Sequence, residues 1–258
     1  MEPGIPVTVK TPAGLRSVTI TNESGKEVEA SFNSDPPEWT TAEPLGYGRT
    51  YTVKAMTKQG TATIASFTTV TPNLQMAGSV SPVEGSEVGV AQAVVFYFDV
   101  SPQDRQAVQD AITIETSNKT VGGFYWLEAN KLIWRPKEYW KPGTKVTVKA
   151  ELYGKDFGNG IYGQQDAETS FTIGDAVLTE VDNSTKTLTV YRNGEKIKSF
   201  NIALGRDGSY DTPNGTYVVG DRHDSLVMDS RSYGLSLESG GYVTPCLLYT
   251  SDAADDSL

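Results

Sequence analysis

The chain has little of several things that commonly announce a function. It holds one cysteine, Cys246, in 258 residues, so an intrachain disulfide is excluded. Compartment does not follow from that, because an exported protein need not use disulfides. No apolar run approaches the ~20 residues of a membrane-spanning helix. Met1 is followed by Glu2, Pro3 and Gly4 and not by a basic and then apolar signal region. Either the protein is cytosolic or its N-terminus has been trimmed. Basic runs are absent, and the formal charge of -10 opposes binding to nucleic acid or to an anionic membrane. Helix signals are scarce as well. The best covers residues 102–111, one or two turns that Ser101 could cap.

What is present is alternation. Segments rich in Val, Thr, Ile and Tyr at residues 6–10, 17–21, 51–55 and 62–69, with turn signals between them, predict an antiparallel β-sandwich. The scheme recurs at residues 94–99, 111–115, 131–135, 145–152 and 169–173. Two stretches align directly: Gly48-Arg-Thr-Tyr-Thr-Val-Lys-Ala55 with Gly143-Thr-Lys-Val-Thr-Val-Lys-Ala150, and Ser66-Phe-Thr68 with Ser170-Phe-Thr172. A duplicated module is the economical explanation, divided near Thr71-Pro72-Asn73, with a second boundary after Gly174. The expected domains are therefore 1–74, 75–174 and a remainder from 175, in a mainly β chain.

Within the middle unit Trp126, Trp134 and Trp140 cluster with Phe124, Tyr125 and Tyr139. The expectation is a sandwich core, with a carbohydrate-stacking platform as the alternative. The loop Asp156-Phe-Gly-Asn-Gly160 has oxygen ligands at close spacing. A Gly-rich turn is the expected reading there, since calcium needs six or more oxygens; a cation at Asp156, Asn159 and Gly160 is the alternative.

After Gly174 the pattern changes. Residues 176–182 and 187–192 read as strands joined at Asn183-Ser184, and Asn193-Gly194 is a tight hairpin signal before a strand over 196–204. A further strand is expected over 217–220. The residues alone support a small β unit with a Gly-rich loop and nothing catalytic.

Lys186-Thr-Leu-Thr-Val-Tyr-Arg-Asn-Gly194, the stretch ending Leu204-Gly205, and Thr212-Pro-Asn-Gly-Thr-Tyr217 resemble the opening half of the L,D-transpeptidase catalytic domain, the YkuD fold. Upstream, Phe96-Tyr-Phe-Asp99 followed by Pro102, Asp104 and Arg105, then Phe124-Tyr-Trp126, Trp134-Arg-Pro136 and Trp140-Lys-Pro-Gly-Thr144, resemble the bacterial Ig-like domain that precedes it in mycobacterial and other actinobacterial enzymes. The first unit is similar to the second Ig-like module of two-module members. The resemblance implies two tandem Ig-like β-sandwiches followed by the N-terminal part of a YkuD-type β domain over 175–245.

It also implies an activity. In that family a cysteine thiolate attacks the third residue of a peptidoglycan tetrapeptide stem, releases D-alanine, and passes the acyl group to a neighbouring stem in a 3→3 cross-link. No cofactor is implied. Expected partners are peptidoglycan stem peptides and, for the intact enzyme, carbapenem-type inhibitors, with no nucleic acid. The implied location is the cell envelope, extracytoplasmic and membrane-anchored in the intact protein. The family's histidine segment and Ser-His-Gly-Cys block find no match here, so no catalytic residue is carried over.

What is carried over is a lid: Met228 and Tyr233 match positions lining the donor-stem pocket, and Tyr242 an aromatic near its entrance, against the simpler reading of a packed hairpin. His223 aligns before the lid, as a loop residue. Cys246 lacks the family context and opens a tail, Cys246 to Leu258, that resembles translated sequencing-adapter DNA. The chain as written is thus expected to be inactive. The competing reading is a wall or surface binding module made of Ig-like sandwiches, a fold that hosts many unrelated roles.

Overall fold

The computed structural model describes residues 1–34, 37–206, 210–211, 213–219, 225–234 and 236–247. The chain divides into two compact units, Met1–Tyr210 and Asp211–Leu258, each taken by itself below.

The first module is a sandwich of two three-stranded antiparallel sheets. Its strands are β1 (Thr8–Lys10), β2 (Leu15–Asn22), β3 (Ala30–Ser34), β4 (Pro37–Thr41), β5 (Thr50–Thr57) and β6 (Ala62–Thr68), ordered β1-β4-β3 and β2-β5-β6. Leu15, Ile20, Val28, Trp39, Leu45 and Tyr51 form its buried core. The β3–β4 hairpin is absent from the sequence reading because neither strand alternates; each carries one large apolar residue, Phe32 or Trp39, and these two pair across the ladder.

The second module is larger. It comprises β7 (Leu74–Met76), β8 (Gly78–Ser81), β9 (Glu87–Val88), β10 (Val94–Phe98), helix α1 (Arg105–Asp110), β11 (Ile112–Thr116), β12 (Gly122–Glu128), β13 (Lys131–Pro136), β14 (Lys145–Ala150), β15 (Ile161–Gly163) and β16 (Ala167–Ile173). Sheet β12-β13-β10-β8 packs on sheet β11-β14-β16-β9, and β7 pairs in parallel with β15. Period-two burial along β10 and β14 turns Val94, Phe96 and Phe98 toward Val146 and Val148 in one core. Trp140, 2% exposed, lies in that core with its indole Nε1 donating to Gln92 O at 2.6 Å, which satisfies the one polar atom such burial would strand.

The duplication read from sequence holds in register. Thr50, Tyr51 and Thr52 of β5 face Thr68, Phe67 and Ser66 of β6, while their aligned counterparts Lys145, Val146 and Thr147 of β14 face Thr172, Phe171 and Ser170 of β16. Each aligned stretch opens on a glycine in the left-handed region, Gly48 at φ 61° and Gly143 at φ 78°. The expected cap of α1 is corrected: Asp104, not Ser101, is the N-cap, its Oδ1 accepting from Ala107 N at 2.9 Å. Phe157 O fixes the entry to the helix by accepting from the N–H groups of Gln103 and Asp104, so the helix starts after the residue expected.

Tyr47 joins the two modules. Its hydroxyl donates to Gly163 O at 2.6 Å and accepts from Gly154 N at 2.9 Å, and its ring lies 5.1 Å from that of Tyr153 and 5.9 Å from that of Tyr162. Tyr153 reciprocates by donating its hydroxyl to Leu45 O at 2.6 Å. Gly4 and Gly154 meet backbone to backbone at the same seam, leaving no room for a Cβ on either.

From residue 177 come β17 (Val177–Asp182), β18 (Thr187–Arg192) and β19 (Glu195–Asn201), an antiparallel sheet ordered β17-β18-β19. Asn193 at φ 51° and Gly194 at φ 86° make the tight turn that the Asn-Gly pair predicts. Short strands β20 (Gly205–Arg206) and β21 (Tyr210–Asp211) follow.

The second unit contains the antiparallel pair β22 (Ser225–Asp229) and β23 (Val243–Leu247). The strand expected over 217–220 does not form in its described part, residues 217–219. Tyr217 instead turns back, its hydroxyl donating to Pro213 O at 2.9 Å, and an isolated segment has no ladder partner to hold it extended.

Candidate functional site

The three residues expected to line a pocket all fall on one local structure. Met228 lies in β22 opposite Thr244, Tyr233 closes a 3-10 turn at Ser230–Tyr233, and Tyr242 immediately precedes β23. The connection is built from caps. Asp229 caps the first turn, Gly234 ends it at φ 88°, Ser236 caps a second turn at Leu237–Ser239, and Gly240 ends that one at φ 87°.

Ser230 is the structural centre. It is fully buried, its N–H donates to Tyr242 O, and its Oγ accepts from Tyr242 N, both at 2.9 Å. These reciprocal bonds clamp the two arms of the loop and place Tyr242 beside the end of β22. Met228 and Tyr242 remain 42% and 43% exposed.

One ion pair sets the local electrostatics. Arg231 donates from Nε to both carboxylate oxygens of Asp229 at 2.9 and 3.0 Å, and from Nη2 to Oδ2. That guanidinium, helped by the Arg231 backbone N–H, draws the Asp229 carboxyl down to about 2. Asp229 is therefore committed as an anion and as a cap, and is unfit to act as a general acid or base near neutral pH.

Cys246 lies within β23, paired with Leu226, so the strand runs through the point where the sequence reading placed its boundary. His223 and residues 248–258 lie outside the described residues. The sequence thus supplies one thiol, Cys246, and one histidine, His223.

The other candidates resolve as follows. Asp156 Oδ1 accepts from Gly158 N at 2.8 Å, and Gly158, Asn159 and Gly160 are all left-handed, at φ 91°, 56° and 72°, which is a turn stabilised by its own side chain. No cluster of metal-ligating side chains occurs among the described residues. Trp134 and Trp140 are core residues, Trp126 is half-buried under the Arg105 guanidinium at 5.1 Å, and Tyr125 and Tyr139 alone of the cluster face solvent. The tryptophans form no stacking platform. Tyr139 stands between two surface clefts that sequence reasoning missed, because its lining converges only in three dimensions.

Comparison with known proteins gives two family matches: a bacterial Ig domain over residues 1–156 and an L,D-transpeptidase catalytic domain over residues 177–247. L,D-transpeptidase 2 of Mycobacterium tuberculosis is 41% identical over 244 residues, 93% of this chain and 60% of that protein. L,D-transpeptidase 5 of the same species is 33% identical over 91% of this chain and 54% of its own length. The chain therefore spans little more than half the length of these relatives. Among solved structures, that of LD transpeptidase LdtMt1 in complex with imipenem is 35% identical with a TM-score of 0.54, covering 68% of this chain and 74% of that one.

Proposed function

The chain belongs to the L,D-transpeptidase family, and from that premise we propose that the protein it represents cross-links peptidoglycan outside the cytoplasmic membrane, joining stem peptides 3→3 through a cysteine acyl-enzyme. The observation that carries this reading is the order of the parts: a catalytic-domain match over 177–247 directly behind a bacterial Ig match over 1–156. A module made only for adhesion has no use for the second.

In the proposed reaction a thiolate bonds to the carbonyl carbon of the third stem residue, the bond to the terminal D-alanine nitrogen breaks, and a proton passes to that leaving amine. The side-chain amine of a second stem then displaces the thiolate. An imidazole serves both proton transfers and amide donors stabilise the oxyanion. Met228, Tyr233 and Tyr242 contribute as a lid against the donor stem. The two Ig-like modules, joined through Tyr47, act as a spacer ahead of the catalytic part. No helix among the described residues is long and apolar enough to cross a membrane.

The covalent step does not belong to the chain as given. Its one cysteine sits in the β22–β23 ladder, and its one histidine precedes the lid. Carbapenem sensitivity is accordingly proposed for the intact enzyme and not for this chain. The test uses a host stripped of other L,D-transpeptidases. Expression of the whole gene restores 3→3 dimers in digested peptidoglycan, and expression of the 258-residue chain does not. Absence of such dimers with the whole protein exported and folded overturns the reading.

A further inference from the structure

Two shallow surface clefts of about 300 and about 260 Å³ flank one ridge of the second Ig-like module, residues 137–139, which lines both. The first is completed by Val90, Ala91, Arg135 and Pro136, the second by Lys119, Val121 and Lys141 among others. Four exposed cations thus converge, Lys119, Arg135, Lys137 and Lys141, against one carboxylate, Glu138. Among the described residues, ion pairs are made by Lys10, Arg49, Lys131, Lys155, Arg192 and Arg231, and none is made by these four. In a chain whose net charge is -10, such a gathering of unpaired positive charge is local and opposed to the average field.

The ridge is rigid. Trp140, the residue after Tyr139, is buried against Trp134 at 5.4 Å and its N–H donates to Val90 O at 2.9 Å, while Lys137 N donates to Val121 O at 2.9 Å and ties the ridge to the loop carrying Lys119. That loop is itself fastened, Asn118 Nδ2 donating to Thr144 Oγ1 at 2.9 Å and Thr120 N to Thr116 Oγ1 at 2.7 Å. Lys119 holds φ 57°, a left-handed conformation that glycine or asparagine adopts at less cost. Tyr139 stands 49% exposed between the clefts, and Tyr125, 65% exposed, lies diagonally across the β12–β13 ladder from Arg135.

We propose that this ridge is a docking surface for a phosphodiester-bearing glycan, with the lysines on the phosphates and Tyr139 on a sugar face. Three of the four cations are lysines, compact point charges of a kind that binds phosphate oxygens. Clefts this open fit a chain laid across the ridge better than a small molecule, which requires enclosure. The surface belongs wholly to the Ig-like module; that its ligand is an anionic polymer of the wall rests on the proposed function, while binding itself does not.

The test titrates the full chain with phosphomannan, with unphosphorylated mannan and with poly-glutamate. Phosphomannan is expected to bind tightest, with affinity falling about tenfold or more between about 50 and 200 mM salt as condensed counterions are displaced. The triple variant Lys119→Gln, Lys137→Gln, Lys141→Gln is expected to weaken binding by about tenfold or more at low salt with an unchanged melting temperature, since these side chains are exposed and unpaired. Tyr139→Ala is expected to weaken phosphomannan more than poly-glutamate. Equal binding of mannan, tighter binding of poly-glutamate, no binding of phosphomannan at low salt, or an unaffected triple variant each overturns the proposal.

Discussion

Replacing Tyr47 by phenylalanine tests whether the Ig-like modules are one mechanical body. The substitution keeps the ring, and so its contacts with Tyr153 and Tyr162, and removes only the hydroxyl. Two hydrogen bonds go with it, leaving the buried Gly163 carbonyl and the buried Gly154 N–H without that partner. A neutral hydrogen bond is worth about 1 kcal/mol net, and an orphaned buried group costs about 1–3 kcal/mol, so the loss should be about 2–4 kcal/mol. For a body of this size that lowers the melting temperature by about 5–10 °C. Calorimetry should show the Ig-like transition falling by that amount, and amide exchange should show Gly154 losing protection. A shift below about 1 °C with Gly154 still protected would refute the reasoning. The same hydroxyl sets an alkaline limit. Burial pushes Tyr47 up to about 12, so the folded form holds its proton where the unfolded chain, near 10, has lost it. The stabilisation is complete below pH 10 and disappears as pH climbs toward 12, a loss that Tyr47→Phe should not show.

Three further outcomes follow from other parts of the chain. The Asp229 carboxyl, held down to about 2 by Arg231, should stabilise the turn at Ser230–Tyr233 above its ordinary value of 3.8 and cease to do so as pH falls toward 2; NMR titration of Arg231→Gln should return its midpoint toward 3.8. Gly122→Ala would drive a Cβ into the Trp134 ring and the Arg135 carbonyl, both fixed by the core, and should lower stability by about 1–3 kcal/mol in denaturant unfolding. Every residue of β17 and β19 is exposed, with Val177, Val181 and Ile197 each more than half so, and amides there should exchange far faster than those of β10 and β13; equal protection would contradict this.

How much was legible in the sequence depended on the kind of signal. The duplicated module was readable because its repeat sits on ladder partners: an aligned pair such as Phe67 and Phe171 keeps its place only if the register is kept, as it is. The Asn193-Gly194 turn was readable because few residue pairs accept positive φ at two consecutive positions. Asp104 was missed as a cap because Ser101 satisfies the same local rule, and tertiary bonds from Phe157 chose between them. Tyr47 was missed entirely, since its partners lie in the other module. Met228, Tyr233 and Tyr242 came from family likeness and not from any pattern, and the cleft beside Tyr139 needed the fold before its cations could be seen together.

The central claim is that family membership and catalytic competence part company in this chain. Intact-mass spectrometry of the purified protein after incubation with a carbapenem addresses it directly. The expected spectrum is that of the unmodified chain, because the family's histidine segment and Ser-His-Gly-Cys block find no match in its sequence. One covalent adduct per chain, mapped to Cys246, would contradict the account.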